Sequence, residues 1–336
     1  MKQLGRLLPL SAFLLVLAGC GEVNLSALDP QGPVAEMQLS LIKLSLYIMI
    51  LVIIVVFVIF TIALIRFREK PGDTHIPEQV EGSKILELIW TTIPIGLLLI
   101  IAIPNVMDTF TLANVERDEN SITVKVTGHQ FWWEFEYPDL DIVAGQDLYI
   151  PTDTKILVQL EASDVLHSFW VPALAGKQDN VPGITNEMWL EADKPGIYKG
   201  KCTEFCGEAH WLMDFKVIAV ERDAFDQWVA NMQEPDLEPI TQMAEAGREV
   251  FEASCIGCHA VGDVGGNPAF GGPSLTNFGD RTVIAGFLEF NDENLEKWLR
   301  YPAETKPGNK MPAFNHLDDD DMEALMEYMK GLKVLD

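Results

Sequence analysis

A chain of 336 residues with a formal net charge of −26 and a pI near 4.5 has room for two or three domains. That acidity excludes nucleic acid as a partner, because a phosphate binder needs a basic face. It favours solubility, draws basic or cationic partners, and also fits a saline or alkaline exterior.

Residues 1–19 read as a bacterial secretory signal, with Lys2 and Arg6 ahead of the short apolar core Leu7–Ala18. The signal ends in Leu17-Ala18-Gly19-Cys20. That order resembles a lipobox, which implies cleavage before Cys20 and diacylglycerol on its thiol. The alternative is an ordinary signal with an incidental cysteine. Residues 20–38 would then be an exterior N-terminal segment.

The first membrane helix is placed at 39–66, because Leu44–Ile65 is apolar and uncharged for long enough to cross a bilayer. The second is placed at 85–108, with Pro94 and Pro104 inside it, which a membrane helix tolerates. Residues 67–84 join the two. Arg66, Arg68, Lys70 and Lys84 concentrate positive charge there, so the loop is expected in the cytoplasm and both chain ends outside.

From 115 to 231 short alternating segments such as Ser121–Val126, Lys155–Leu160 and Phe215–Val220 are divided by Pro, Gly and Asp-rich turns. This is the pattern of an all-β sandwich or barrel. Residues 232–240 form a proline-punctuated linker. Beyond it, 241–336 contains helical stretches at Thr241–Ser254 and Asp318–Leu332, the second opening on aspartates that suit a helix N-terminus. Met322, Met326 and Met329 recur there at core spacing, and His316 falls in an exposed loop.

The chain has five cysteines, at 20, 202, 206, 255 and 258. They are read as one plus two plus two, a lipid site, a copper pair and a haem pair; if those three assignments hold, none is left for a structural disulfide. Cys202 and Cys206 alone could be a disulfide, a zinc pair or a mononuclear copper pair. His210, Met213 and, on a separate loop, His167 complete a set of soft and borderline donors that suits copper. Two thiolates that each bridged two metal ions, with one imidazole on each, would make a dinuclear centre. One metal would gain the thioether and the other a backbone carbonyl.

Residues 80–232 are similar to subunit II of haem–copper cytochrome c oxidases. Three motifs carry the likeness: Gly128-His-Gln-Phe-Trp-Trp, His167-Ser-Phe-Trp-Val-Pro and Cys202-Thr-Glu-Phe-Cys206-Gly-Glu-Ala-His210-Trp-Leu-Met213. The resemblance implies a cupredoxin fold and the mixed-valence dicopper centre CuA. Its ligands would be His167, Cys202, the carbonyl of Glu204, Cys206, His210 and Met213. It also implies a magnesium ion at the Glu204 carboxylate, shared with subunit I. Glu87 would stand at the mouth of a proton-uptake path. Many relatives carry tryptophan as the first aromatic after His-Gln, where electrons from soluble cytochrome c enter. Here Phe131 holds that place, ahead of Trp132 and Trp133, so direct delivery by that route is in question.

Cys255-Ile-Gly-Cys258-His259 is the attachment pentad of c-type haem, giving two thioethers and one axial imidazole. Met311, in the Gly308-Asn-Lys-Met311-Pro loop, is the expected sixth ligand. The segment resembles a small bacterial cytochrome c domain, in which Gly247 and Phe251 would cross Leu325 and Tyr328. The expected architecture is therefore multidomain: a two-helix transmembrane hairpin, an all-β cupredoxin-like domain and an all-α cytochrome c domain.

A CuA subunit II fused to a cytochrome c domain resembles the caa-type terminal oxidases. The resemblance implies a bacterial plasma-membrane protein with both redox domains outside. Its partners would be oxidase subunits I and III, membrane lipid, and cytochrome c or another reduced donor. Its task would be relay of electrons to subunit I, where dioxygen is reduced and protons are translocated; no bond-making residue is expected in this chain. The alternatives are a free-standing membrane copper/haem carrier, a copper-delivery factor, and a metal-free quinol oxidase subunit II. The cysteines, His210 and the haem pentad disfavour the last.

Overall fold

The structure is a computed structural model and describes residues 25–335 apart from 69–70, 73–75, 77, 80 and 267–270. Cys20 and the signal expected at 1–19 lie outside the described residues. The chain divides into two units, one of residues 36–116 and one of residues 25–35 with 117–335.

Two helices make the first unit, α1 (Pro33–Arg66) and α2 (Lys84–Leu112). Their 34 and 29 residues reach about 50 and 44 Å at ~1.5 Å per residue, more than the ~30 Å of bilayer hydrocarbon. Large apolar side chains such as Phe57, Ile59, Leu98 and Ile103 stand exposed along both. An apolar helix surface that no protein covers needs lipid, so these helices anchor the chain in a membrane. α1 begins six residues before the expected start at 39, at Pro33. Proline's fixed φ and missing N–H suit the first helical position. Glu87 lies exposed in the first turn of α2.

The larger part of the second unit is a sandwich of two five-stranded sheets. One contains β1 (Ile122–His129), β2 (Trp132–Tyr137), β3 (Ile142–Gly145), β5 (Ile156–Ala162) and β8 (Asn186–Leu190), ordered β3-β2-β1-β5-β8. The other contains β4 (Asp147–Pro151), β6 (His167–Trp170), β7 (Gln178–Asn180), β9 (Gly196–Cys202) and β10 (Asp214–Val220), ordered β4-β10-β9-β6-β7. Each sheet mixes directions: β1 runs parallel to β5, and β10 parallel to β4. Strand alternation sends Trp133, Phe135 and Tyr137 of β2 inward, Trp133 against Phe169 of β6 and Phe215 of β10, Phe135 against Phe215, and Tyr137 against Phe225 and Trp228. Tyr137 closes the packing, donating its hydroxyl to the Tyr149 carbonyl at 2.7 Å and accepting the Tyr149 N–H at 3.0 Å.

The sandwich does not run as strand and loop to its expected end. It closes on a helix, α3 (Arg222–Gln233), which also takes in the first two residues assigned to the linker. Phe225, Trp228 and Met232 recur at helical spacing and are buried, with Trp228 stacked on Tyr149 at 4.7 Å between ring centroids. A single amphipathic turn pattern among alternating segments is overridden by the β signal around it.

The remainder is built on α4 (Gln242–Ser254), α5 (Asp292–Arg300) and α6 (Asp319–Gly331). Thr241, Asn291 and Asp318 cap them, each side chain accepting a backbone N–H three residues on. α4 and α6 cross at Gly247, where any Cβ would run into the Ala324 carbonyl. Phe251 lies 5.4 Å from Tyr328 between ring centroids. Met322, Met326 and Met329 are core residues, and His316 is exposed. Two short ladders, 260–261 with 264–265 and 283–284 with 288–289, supplement this helical domain.

Candidate metal and haem centres

Two adjacent strands and one loop assemble the sulfur cluster. β6 begins at His167, β9 ends at Cys202, and the loop between β9 and β10 carries Glu204, Cys206, His210 and Met213. Cys202 and Cys206 are free thiols whose sulfurs lie 3.9 Å apart. His167 Nδ1 is 3.8 Å from Cys202 Sγ, and His210 Nδ1 is 3.6 Å from Cys206 Sγ. The Met213 sulfur is 3.8 Å from Cys206 Sγ, and the Glu204 carbonyl 3.3 Å from Cys202 Sγ. All six expected donors therefore meet in one place. The thiols, His167 and Met213 are buried.

This donor set fits copper by its chemistry, with soft sulfur, borderline imidazole and little access for water. The hydrogen bond from the Cys206 thiol draws Cys202 well below the ordinary thiol range, against the burial that opposes it. A thiolate, the form that ligates metal, is thus favoured at Cys202.

Asp164 and Gly128 complete the surroundings of His167. Burial works to raise the Asp164 pKa, but hydrogen bonds from the His167 ring and the Gln130 and Val165 N–H groups hold it at about 2. His167 Nε2–H donates to Asp164 Oδ1 at 2.9 Å, which leaves the Nδ1 lone pair facing Cys202. On the other side of the ring lies Gly128, where a Cβ would come within 2.8 to 3.1 Å of three His167 carbons. Sequence reasoning gives neither residue a role. Only the i,i+3 spacing of Asp164 and His167 hinted at the pairing.

The haem pentad ends α4 and turns into a cavity of about 450 Å³. Cys255, Cys258, His259 and Met311 all line it, with Phe251, Trp298 and Phe314 among the apolar walls. His259 Nδ1–H donates to the Pro273 carbonyl at 2.8 Å, leaving Nε2 as the free donor atom. Burial, then the neighbouring Cys258, pushes the Cys255 thiol up to about 12. Two thiols, an imidazole with a fixed tautomer and a thioether fit a covalently attached, six-coordinate haem.

Three family models match the chain. They are the transmembrane domain of cytochrome c oxidase subunit II over residues 22–107, its periplasmic domain over 142–220, and cytochrome c over 244–333. Cytochrome c oxidase subunit 2 of Alkalihalophilus pseudofirmus is 55% identical over 341 residues, covering 100% of this chain and 99% of that protein. The chain belongs to the cytochrome c oxidase subunit II family. The subunit 2 of Bacillus sp. strain PS3 is 50% identical over 95% of each chain. A quinol oxidase subunit 2 from Bacillus cereus is 39% identical over 69% of this chain and 80% of its own. The family models imply a CuA site and a c-type haem, and the buried His167, Cys202 and Cys206 fit the first.

In this subunit II the two centres share a wall. The β1–β2 turn contributes His129, Gln130, Phe131 and Trp132 to the lining of the haem cavity. From the other side of the same turn, Gln130 Nε2 donates to the Cys206 carbonyl at 2.6 Å. Trp132 stacks on His129 at 4.0 Å between ring centroids. Burial lowers the His129 pKa to about 4, so its ring is neutral near pH 7. Trp133 points the other way, into the core, 6.0 Å from the His167 ring. The three aromatics therefore divide: Phe131 and Trp132 border the haem cavity, and Trp133 packs beneath the copper ligands.

Proposed function

We propose that this subunit II relays electrons in two stages to subunit I of a terminal oxidase. His167, Cys202, the Glu204 carbonyl, Cys206, His210 and Met213 would hold the dicopper centre. Cys255 and Cys258 would bind haem covalently, with His259 and Met311 as axial ligands. Filled, the two sites supply one-electron carriers in series between an external reductant and subunit I, where dioxygen is reduced to water and protons are translocated.

The chain's own residues make that series fast. Asp164 fixes the His167 tautomer, and Gly128 gives its ring room without slack. Strands β6, β9 and β10 hold the donors on a rigid frame, so little rearrangement accompanies a change of charge. The Gln130–Trp132 turn sets the distance between carriers. Fusion replaces a diffusional encounter with a donor held beside its acceptor.

Phe205 and Trp211 flank the ligands with 77% and 69% of their surface exposed, and such aromatics suit a face that docks subunit I. The Glu204 carboxylate is the magnesium candidate at that face. Glu87 is assigned to the mouth of proton uptake. Cys20 is assigned to the lipid, and subunit III and a basic cytochrome c to the remaining partners. The redox domains face the exterior of the plasma membrane, in line with the basic loop between the spans.

The shared wall between the sulfur cluster and the haem cavity carries this reading. Metal and haem analysis of the purified chain with electron paramagnetic resonance tests it. Two coppers sharing one unpaired electron and one covalent haem are expected. A single copper, a zinc ion or a Cys202–Cys206 disulfide in the working protein would refute it.

A further inference from the structure

Lys306 is 2% exposed, yet no carboxylate of the described residues lies within ion-pair distance of it. Its Nζ donates at 2.7 Å to the Phe131 carbonyl, on the copper side of the seam, and at 2.7 Å to the Ala285 carbonyl in its own domain. Asp214 is among the negative groups that act on it, but Lys201 already holds that carboxylate at 2.7 Å. An ammonium has three donors. Two are spent on carbonyls, and Lys306 lines the haem cavity. Burial brings its pKa down to about 7, so the charged form calls for a counter-ion.

A second donor reaches the cavity from the copper domain. Gln146 accepts the Trp133 N–H at 3.0 Å through Oε1, while its buried Nε2 has no hydrogen-bond partner among the described residues. Gly286, at φ +89°, leaves the space that this amide fills. A cavity lined by thioether-forming thiols, a buried cation and an unpartnered amide donor matches a porphyrin that carries carboxylates. We infer that Lys306 is the counter-ion of a haem carboxylate and, through Phe131, the positioning residue that fixes the haem domain against the copper domain, with Gln146 donating to the same carboxylates.

This rests on the relay reading above. The protein is the full chain in its oxidase, made with haem ¹³C-labelled at its carboxylates, as wild type and as Lys306→Met. Redox-difference infrared spectra should show the labelled carboxylate bands displaced in the variant. The haem midpoint potential should fall, because a positive charge that disfavours ferric iron is gone. Photoinitiated haem-to-copper transfer should slow at least tenfold. Covalent attachment through Cys255 and Cys258 should persist. If K306M loses its haem, Lys306→Gln, which keeps a donor, is read in the same way; loss of haem from both would make Lys306 a folding residue and overturn the assignment. Unchanged carboxylate bands and potential in a haem-replete variant overturn it too, since they describe a neutral amine bridging two carbonyls. Absence of haem-to-copper transfer in the wild type refutes the relay instead, whatever the infrared bands show.

Discussion

Replacing Gly128 with alanine tests how the copper site is built. An alanine Cβ at 128 would lie 2.8 Å from His167 Cδ2 and 2.9 Å from Cγ, closer than such atoms approach in real proteins. To reach ordinary van der Waals contact the ring must retreat by about 0.6 Å or more. It has nowhere to go: Asp164 holds Nε2 at 2.9 Å and Trp133 packs against it with centroids 6.0 Å apart. Overpacking of this kind costs about 1–3 kcal/mol. Removing a glycine from the unfolded chain returns only about 0.4–1 kcal/mol, so the net change is destabilising by roughly 1–2 kcal/mol. For a unit of this size that lowers Tm by roughly 2–8 °C. The displaced Nδ1 should also alter the copper hyperfine pattern. The assays are thermal unfolding and electron paramagnetic resonance of the copper-loaded chain. A G128A protein with wild-type Tm and an unaltered copper signal would show that the glycine is incidental.

Three further outcomes follow from the same structure. Asp164→Asn removes the charge that fixes the His167 tautomer and should weaken copper binding about 10- to 100-fold in a chelator competition; wild-type affinity would sink that role. His129 has its pKa lowered to about 4 in the fold, against about 6.5 unfolded. The unfolded chain therefore binds the proton first, and stability should fall as pH drops from 6.5 to 4, by up to about 3 kcal/mol. A ring titrating near 6.5 by NMR would contradict this. Trp228→Ala empties a side chain that is 1% exposed and stacked on Tyr149. It should cost about 3–5 kcal/mol in denaturant unfolding, whereas a loss under 1 kcal/mol would mean that α3 packs loosely.

The cluster was legible because its chemistry is written in residue types: two thiols, two imidazoles and a thioether are costly to bring together without a metal. The membrane helices were legible from uninterrupted apolar length. Asp164 escaped notice as a functional group because an aspartate before a histidine is common, and only the folded β5–β6 connection shows which ring nitrogen it holds. Lys306 was less visible still. Nothing in Thr-Lys306-Pro-Gly distinguishes a buried cation from a solvated one, since its partners lie 175 and 21 residues away in sequence. The helix α3 was lost for a different reason, its three anchors being too few to outweigh the strand periodicity around them.

The Gln130–Trp132 turn has a consequence for how the oxidase chooses its reductant. Because that turn walls the haem cavity, with Phe131 only 4% exposed, it would offer a visiting protein little of that side chain to touch. In the proposed relay, recognition of the donor would then fall to the exposed surface of the haem-binding domain. Exchanging that surface could retune the respiratory chain to a new supplier without disturbing a single ligand of the copper cluster.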